Sequence, residues 1–149
     1  MILRVLIQRV LSASVRLIKE GNVKEEASIG KGLLLFVGIG KNDSQVTVDF
    51  LVNKIYNLRV FEKKGKFDLS LADIKGEVLA VPQFTLYGNT EKGRRPEFTF
   101  AERPEKAKIL FDSFCEKLSN FLSCKKGFFG AKMEVELVND GPVTLMVEK

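Results

Sequence analysis

The last strand-like stretch of the chain, residues 133–147, is interrupted by Asn139-Asp140-Gly141-Pro142. Gly-Pro is poorly suited to the interior of a sheet, because glycine adds backbone freedom and proline removes a hydrogen-bond donor from the strand. The pair therefore predicts a tight turn or a sheet edge between two strands. Gly-Pro is also a sequence at which a cis peptide bond costs little. An ordinary hairpin turn and a specialised backbone element both remain open at this point.

Apolar patterns along the rest of the chain predict further strands and two main helices. Asn42-Asp43-Ser44 supplies a helix cap, and a helical period then continues to about residue 58. Pro104 suits the first turn of a second helix. We expect an α+β fold, a single domain of mostly antiparallel or mixed, barrel-like β-sheet spanning residues 1–149. The predicted strands cover residues 3–10, 14–18, 23–29, 33–39, 77–81, 132–138 and 143–147. The predicted buried stripe of the second helix comprises Ala107, Leu110, Phe111, Phe114, Leu118, Phe121 and Leu122.

Composition indicates a globular protein of one domain. The 149 residues suffice for a real core, and 45% hydrophobic with 29% charged residues is typical of globular chains. No apolar run reaches the roughly 18 residues of a membrane span, and the first residues lack a signal-peptide layout. Two cysteines are too few for a disulfide scaffold, which favours a cytoplasmic setting. We expect no membrane partner.

The sequence contains no histidine. This excludes Ser-His-Asp and Cys-His nucleophilic machinery, the usual zinc sites and the ordinary proton shuttle at neutral pH. An enzyme of this composition must use carboxylates, lysines, hydroxyls, backbone dipoles or its own substrate. Two cysteines nine positions apart cannot build a zinc site alone.

The charge distribution favours a polyanionic partner. Lys and Arg number 24 against 19 Asp and Glu, which gives a net charge of +5. The segment Lys92-Gly93-Arg94-Arg95-Pro96 combines adjacent cations with a glycine, which suits backbone approach to phosphate. The alternative is a solvated loop. A P-loop or Rossmann site is excluded, because the required glycine and Gly-Lys-Ser/Thr patterns are absent.

Gln83 and Thr85 flank Phe84 at the end of a predicted buried strand, where backbone N–H groups can face a pocket. Thr85 has no histidine to activate it and would be a weak nucleophile. The amides of Phe84 and Thr85 are better suited to an oxyanion hole, which needs no titratable group. The alternative is an ordinary strand end without chemistry.

Several segments together resemble the D-aminoacyl-tRNA deacylase family, which edits mischarged tRNA. They keep the order of the family and cover nearly the whole chain, so the combination is highly specific although no single segment is. The matching segments are residues 7–10, 57–61, 83–87, 92–96, 129–131 with Met133, and 135–144.

The resemblance implies a homodimer with two active sites at the subunit interface. The Gly141–Pro142 peptide would be cis and would enter the site of the partner, where it excludes L-aminoacyl groups. Arg9 would support this element, and Asn139 would belong to the same chiral filter.

The resemblance also assigns the substrate contacts. Gln83, Phe84 and Thr85 would line the ester site, with the last two offering backbone N–H groups. The segment 129–131 (Phe129, Gly130 and Ala131) with Met133 would surround the terminal adenosine, and Arg94 and Arg95 would contact tRNA.

The implied activity is hydrolysis of D-aminoacyl-tRNA, as proofreading in translation, with aminoacylated tRNA as the partner and no DNA. Glycyl-tRNA should also pass a filter that rejects only L-aminoacyl groups. The ester is already activated and a neighbouring ribose hydroxyl can assist water, so the protein need only position the carbonyl and stabilise its developing charge. We therefore expect neither a metal nor a cofactor.

One position departs from the family, which usually has Ser before Gln-Phe-Thr where this chain has Pro82. Proline has neither a hydroxyl nor a backbone donor, so any hydrogen bond from this position is lost. The amides of Phe84 and Thr85 are unaffected. A non-catalytic RNA-binding homodimer is the alternative function, and a purely structural dimer explains the basic loop poorly.

Overall fold

The structure, a computed structural model, describes residues 3–149. These residues form eight β-strands, three α-helices and one 3₁₀ helix. The strands are β1 (Arg4–Lys19), β2 (Asn22–Ile29), β3 (Gly32–Gly38), β4 (Phe61–Lys63), β5 (Lys66–Leu69), β6 (Glu77–Pro82), β7 (Cys124–Lys126) and β8 (Met133–Glu148). The helices are α1 (Gln45–Asn57), α2 (Leu71–Ile74), α3 (Pro104–Ser119) and the 3₁₀ helix (Phe84–Tyr87).

Six strands form one mixed sheet that curls into a nearly closed barrel. Strand β1 is antiparallel to β2, β3 and β8, whereas β3, β6 and β7 run parallel to one another. The expected single α+β domain with a mixed, barrel-like sheet is confirmed. Because β3, β6 and β7 are parallel, the loops that follow β6 and β7 leave from the same edge of the sheet.

The apolar side chains of the sheet alternate between two hydrophobic clusters. Leu33 and Leu35 of β3 face α1 and α3, whereas Leu34 faces the opposite side with Val10 and Leu79. This alternation follows from the two-residue period of a strand. The continuous apolar run is therefore a central strand buried on both faces, as the sequence predicts.

Both predicted helices are present. Ser44 caps α1 in a capping box with Thr47, and Pro104 opens α3. One member of the predicted stripe is wrong. Phe121 is 57% exposed because α3 ends at Ser119, and its ring stacks on Tyr56 instead (4.9 Å between centroids). Within residues 3–149, no helix is long and apolar enough to cross a membrane.

Two strands are longer than predicted. Residues 4–19 form the single strand β1, and residues 133–148 form the single strand β8, because these two strands pair along nearly their whole length. The expected break at residues 139–142 is a wide irregularity within β8. Gln8 pairs with Thr144 while Val10 pairs with Asn139, so the additional residues of β8 bulge out of the sheet. The β4–β5 hairpin was not predicted.

Candidate functional site

The end of β6 places Gln83 at the edge of the sheet. Its backbone N–H donates to the carbonyl oxygen of Val37 (2.8 Å), and the chain then turns into the 3₁₀ helix. Tyr87, at the end of this helix, is buried and donates its hydroxyl proton to the carbonyl oxygen of Gly38 (3.0 Å). Burial raises the pKa of the Tyr87 phenol, so it stays protonated and anchors the turn.

The turn leaves two backbone donors unused. Among the described residues, the amides of Phe84 and Thr85 donate no hydrogen bond, since they precede the first internal bond of the 3₁₀ helix. The Gln83 side-chain amide donates to Thr85 Oγ1. The Phe84 ring is 59% exposed and meets Phe98 edge to face, with ring centroids 5.1 Å apart. Two adjacent free N–H groups on a fixed turn can stabilise an oxyanion.

The turn after β7 lies beside this segment. The backbone N–H of Gly127 donates to the carbonyl oxygen of Ala80 (2.7 Å), and a Cβ on Gly127 would lie 3.4 Å from Cδ of Pro82. The following residues close a turn in which the N–H of Ala131 donates to the carbonyl oxygen of Phe128 (3.3 Å). Gly130 has a φ of +73°, which suits glycine. The predicted adenosine segment, residues 129–131 with Met133, and the predicted ester segment, residues 83–85, therefore leave the sheet side by side.

The side chains of the adenosine segment do not form a stacking platform. The Phe129 ring packs against Phe111 of α3 at a centroid distance of 6.2 Å. It thereby joins the hydrophobic cluster between the sheet and helices α1 and α3. Met133 Sδ accepts a hydrogen bond from the backbone N–H of Phe128 (3.3 Å), which places Met133 at the base of the turn. Contacts from this segment to a nucleoside would therefore come from its backbone and from Ala131.

The basic loop is attached to the same region. Asn89 and Glu97 exchange two backbone hydrogen bonds that close the loop between them. The N–H of Asn89 donates to the carbonyl oxygen of Glu97 (2.8 Å), and the N–H of Glu97 donates to that of Asn89 (3.0 Å). Phe98, which follows the bridge, contacts Phe84. Arg94 and Arg95 are exposed in the loop, and neither forms an ion pair with any residue of the described range 3–149.

A second group of predicted residues surrounds the bulge of β8. The Arg9 side chain is only 6% exposed and is held by acceptors from two elements. Its Nε donates to the carbonyl oxygen of Asp140 (2.9 Å), Nη1 to that of Val60 (2.9 Å), and Nη2 to Glu62 Oε1 (3.2 Å). Arg9 thus joins the bulge to the β4–β5 hairpin.

The bulge itself is fixed by Asn139 and Gly141. Asn139 Oδ1 accepts from the N–H of Val143 (2.9 Å), and its Nδ2 donates to Thr144 Oγ1 (2.9 Å). The Gly141–Pro142 peptide bond is cis, and both residues are exposed. Gly141 has a φ of +133°, and a Cβ there would lie 2.8 Å from Val143 Cγ2 and 3.0 Å from Arg9 Nη2. Only glycine fits this position without displacing its neighbours.

The ester segment and the residues around the bulge of β8 lie at different levels of the sheet. Arg9 lies opposite Leu33 near the start of β3, whereas Gln83 follows the pairing of Pro82 with Val37 near its end. At about 3.3 Å per residue, the groups are roughly 15 Å apart along the strands. An open groove of about 340 Å³ beside Gly141 is lined by Arg9, Lys31, Phe61, Glu62, Leu69, Ile74, Asp140 and Gly141, none of which belongs to the ester segment. One small aminoacyl group cannot touch both groups of the same chain.

The structure also shows supporting residues that sequence patterns did not reveal. Arg4 Nη1 donates to the carbonyl oxygen of Leu86 (2.8 Å), and its guanidinium lies 5.2 Å from the centroid of the Tyr87 ring. Glu62 and Phe67 hold the guanidinium of Arg9, the latter with its ring centroid 5.8 Å away. These partners are distant in sequence, so no local pattern signals them. Among residues 3–149, no group of three or more Cys, Asp or Glu side chains could hold a metal ion.

Pro82 occupies the last position of β6 and pairs with Val37 of β3. The ladder continues past it, because the N–H of Gln83 supplies the next hydrogen bond to Val37. The residue that departs from the family pattern therefore leaves the turn at Phe84 and Thr85 in place.

Solved structures with the same fold include one described as the c-Myc DNA Unwinding Element Binding Protein. It is similar with a TM-score of 0.88, 39% identity and 98% coverage of both chains. A structure described as a probable eukaryotic D-amino acid tRNA deacylase matches with a TM-score of 0.85 over 100% of both chains. Its sequence identity of 18% means that this second likeness shows the fold alone.

The sequence matches a family over nearly its whole length. The family model for D-Tyr-tRNA(Tyr) deacylase covers residues 6–148. A D-aminoacyl-tRNA deacylase of Thermosipho melanesiensis is 50% identical over 149 residues, which is 98% of this chain and 97% of that protein. A D-aminoacyl-tRNA deacylase of Azobacteroides pseudotrichonymphae is 48% identical with the same coverage. The chain therefore belongs to the D-aminoacyl-tRNA deacylase family.

Proposed function

We propose that this chain hydrolyses the ester bond of D-aminoacyl-tRNA and releases a free D-amino acid and tRNA. Relatives that are 50% and 48% identical over nearly the whole chain carry the name of this activity. The observation that carries the proposal is the fixed turn after β6, where the amides of Phe84 and Thr85 are free to donate. Such donors need no titratable group, so they suit an acyl-transfer enzyme without histidine.

In the proposed mechanism, water attacks the ester carbonyl and a tetrahedral oxyanion forms. Collapse of this intermediate breaks the bond between the carbonyl carbon and the ribose oxygen, and the leaving ribose oxygen takes up the proton that the water has lost. The N–H groups of Phe84 and Thr85 stabilise this oxyanion, which develops more charge than the ester carbonyl carries in the ground state. The free ribose hydroxyl next to the ester takes part in activating the water, so no side-chain base is required. Gln83 positions the Thr85 side chain, and neither residue forms a covalent intermediate.

The terminal adenosine is proposed to bind at the neighbouring turn, residues 129–131, with Met133 supporting its backbone. The loop with Arg94 and Arg95 is proposed to bind phosphates of the acceptor stem. Its placement supports this role, because Phe98 beside the loop contacts Phe84 of the ester segment.

Chiral selection is proposed to come from the bulge of a second subunit. Gly141 and Pro142 are exposed and lie roughly 15 Å along the strands from the ester segment of their own chain. They can therefore line an aminoacyl pocket only across a subunit interface. In such a homodimer, Arg9 and Asn139 hold the bulge, and the bulge excludes the side chain of an L-aminoacyl group. Glycine has no side chain, so glycyl-tRNA is also a substrate.

The experiment incubates purified protein separately with D-aminoacyl-, L-aminoacyl- and glycyl-tRNA and measures release of the amino acid from each. The mass of the protein in solution is measured in parallel. We expect hydrolysis of the D-aminoacyl and glycyl esters by a dimer. Equal hydrolysis of the D and L esters contradicts the filter. A monomer that retains full stereoselectivity contradicts the cross-subunit site.

The second candidate function is nucleic-acid binding without catalysis by a homodimer. The exposed Arg94 and Arg95, which form no ion pair within the described part of the chain, support it, and a relative at 39% identity has a name that refers to binding a DNA element. Our expectation for this chain remains RNA. Binding of tRNA without any turnover would favour this second candidate, and a competition between tRNA and duplex DNA measures the preference.

A further inference from the structure

The β4–β5 hairpin has a cationic tip. Lys63, Lys64 and Lys66 surround Gly65, and all four residues are exposed. Gly65 has a φ of +77° and nothing within 4 Å of its Cβ position, so the space beside the turn is open. Within residues 3–149, none of the three lysines forms a salt bridge. The tip therefore presents three ammonium groups with no described carboxylate at salt-bridge distance. The pKa of Asp73 in α2 is lowered mainly by hydrogen bonds from Ser70 and also by the charges of Arg59 and Lys63, so Asp73 offsets the charge of Lys63 only in part.

The two carboxylates of the hairpin are already engaged at its base. Glu62 Oε1 lies 3.2 Å from Nη2 of the buried Arg9, and Asp68 Oδ1 lies 3.6 Å from Nη1 of Arg59. Neither carboxylate neutralises the tip. The separation of charge along the hairpin makes the tip suited to an external polyanion.

Arg9 joins the hairpin to the Gly141 bulge as one unit. Its guanidinium bonds Asp140 on one side and Val60 with Glu62 on the other, and it lies 5.8 Å from the centroid of the Phe67 ring. Because this guanidinium is almost fully buried and bonds to both elements, it couples the hairpin to the bulge. The hairpin and the bulge line the same groove. A bulge that enters the site of a partner subunit therefore brings the hairpin to the rim of that site.

We propose that the tip, Lys63–Lys66, binds backbone phosphates of the tRNA whose aminoacyl end occupies the site of the partner subunit. The inference rests on the proposed function, since it requires Gly141 and Pro142 to enter that site. The tip begins one residue beyond Glu62, about 3.3 Å along β4, because Lys63 already pairs with Lys66 across the turn. Lysines bind phosphate as point charges without reading bases, so the contact adds affinity and leaves stereoselectivity to the bulge.

The first experiment removes two charges from the tip. The double variant Lys63→Ala with Lys66→Ala is compared with Lys19→Ala with Lys24→Ala, which removes the same charge from exposed positions of the β1–β2 hairpin. Lys64 is left unchanged because its φ is +53°. The Kd for uncharged tRNA and the KM for D-aminoacyl-tRNA are measured against salt concentration.

We expect the tip variant to bind tRNA more weakly and its salt slope to fall by about 1.4 to 1.8, for two lost phosphate contacts. Its kcat and its D-to-L rate ratio should match the wild type. A salt slope equal to that of the control variant would overturn the proposal and leave the tip as solvated lysines. Because Kd requires no turnover, a wild type that binds tRNA without hydrolysing it refutes the proposed function and still tests the hairpin.

The second experiment tests whether the contact is made across subunits. Thr85→Arg fills the ester site of its own chain, and it is combined with the tip variant in mixed dimers. When both changes are in one chain, the open site faces the altered tip, and KM should rise as in the tip variant. When the changes are in different chains, the open site faces an intact tip, and KM should equal that of wild type. The reverse pattern, or equal KM values, would overturn the cross-subunit contact.

Discussion

Substitution of Gly141 by alanine is the sharpest test of the bulge in β8. Gly141 has a φ of +133°, which L side chains rarely adopt. The new Cβ would lie 2.8 Å from Val143 Cγ2, 3.0 Å from Arg9 Nη2 and 3.1 Å from the Val143 nitrogen. Arg9 cannot simply move away, because its guanidinium is buried and bonded to three acceptors. The bulge itself must therefore shift.

The expected loss of stability in Gly141→Ala is the sum of two separate costs. The backbone conformation costs about 1–3 kcal/mol for a non-glycine residue, and overpacking against Val143 and Arg9 costs about 1–3 kcal/mol more. Gly21→Ala is the matched control, since Gly21 has a φ of +76° with nothing within 4 Å of the Cβ position. It pays only the backbone cost, about 1–2 kcal/mol. The difference between the two variants therefore combines the steric displacement of the bulge with the less accessible backbone conformation of Gly141.

The assay measures the free energy of unfolding in urea together with the ratio of D- to L-aminoacyl-tRNA hydrolysis. We expect Gly141→Ala to unfold more easily than Gly21→Ala, and its rejection of L-aminoacyl groups to weaken by tenfold for each roughly 1.4 kcal/mol of lost exclusion. Gly21→Ala should keep the wild-type ratio. A folded Gly141→Ala protein with the wild-type ratio would refute the assignment of the bulge as the chiral filter.

Three further predictions concern catalysis, tRNA binding and stability. Hydrolysis should survive chelation by EDTA, Thr85→Val should retain most activity, and the pH–rate profile should show no inflection attributable to histidine near 6.5. A trapped acyl-enzyme on Thr85 would contradict a mechanism without a side-chain nucleophile. Replacing Arg94 and Arg95 by alanine should weaken tRNA binding with little base preference and flatten its salt dependence, and an unchanged slope would leave both as solvated residues. The pKa of Glu102 is lowered by the backbone N–H of Arg103 (2.8 Å) and by Lys106 (3.2 Å). The carboxylate therefore stabilises the fold above the ordinary glutamate pKa, and this stabilisation is lost as the pH falls through the lowered pKa. Glu102→Gln should therefore lower the free energy of unfolding by about 0.5–1 kcal/mol at pH 7 but not at pH 2, and an equal loss at both pH values would contradict this.

The sequence determined the elements whose signals are local. The apolar run of residues 33–39 predicts a buried central strand, and the cap at Ser44 and the proline at Pro104 mark the beginnings of α1 and α3. These signals act over a few residues, because caps, turns and side-chain periods depend on the nearest backbone. The lack of histidine likewise limits the chemistry without any knowledge of the fold.

The family motifs also named candidate site residues before any geometry was known, but they could not say how these residues are arranged. Sequence patterns treated residues 132–138 and 143–147 as two strands, whereas pairing with β1 makes them the single strand β8. Long-range pairing overrides the local turn signal of Gly141-Pro142, because β1 offers hydrogen-bond partners on both sides of the bulge.

Only the tertiary structure decided which residues lie together. The parallel pairing of β6 with β7 brings the turn at 129–131 beside Gln83, and the burial of Arg9 couples the β8 bulge to a hairpin that lies more than 50 residues away in sequence. The same structure separates the bulge from the ester segment of its own chain. These relations depend on strand order and on buried hydrogen bonds between distant segments, which no local sequence pattern encodes.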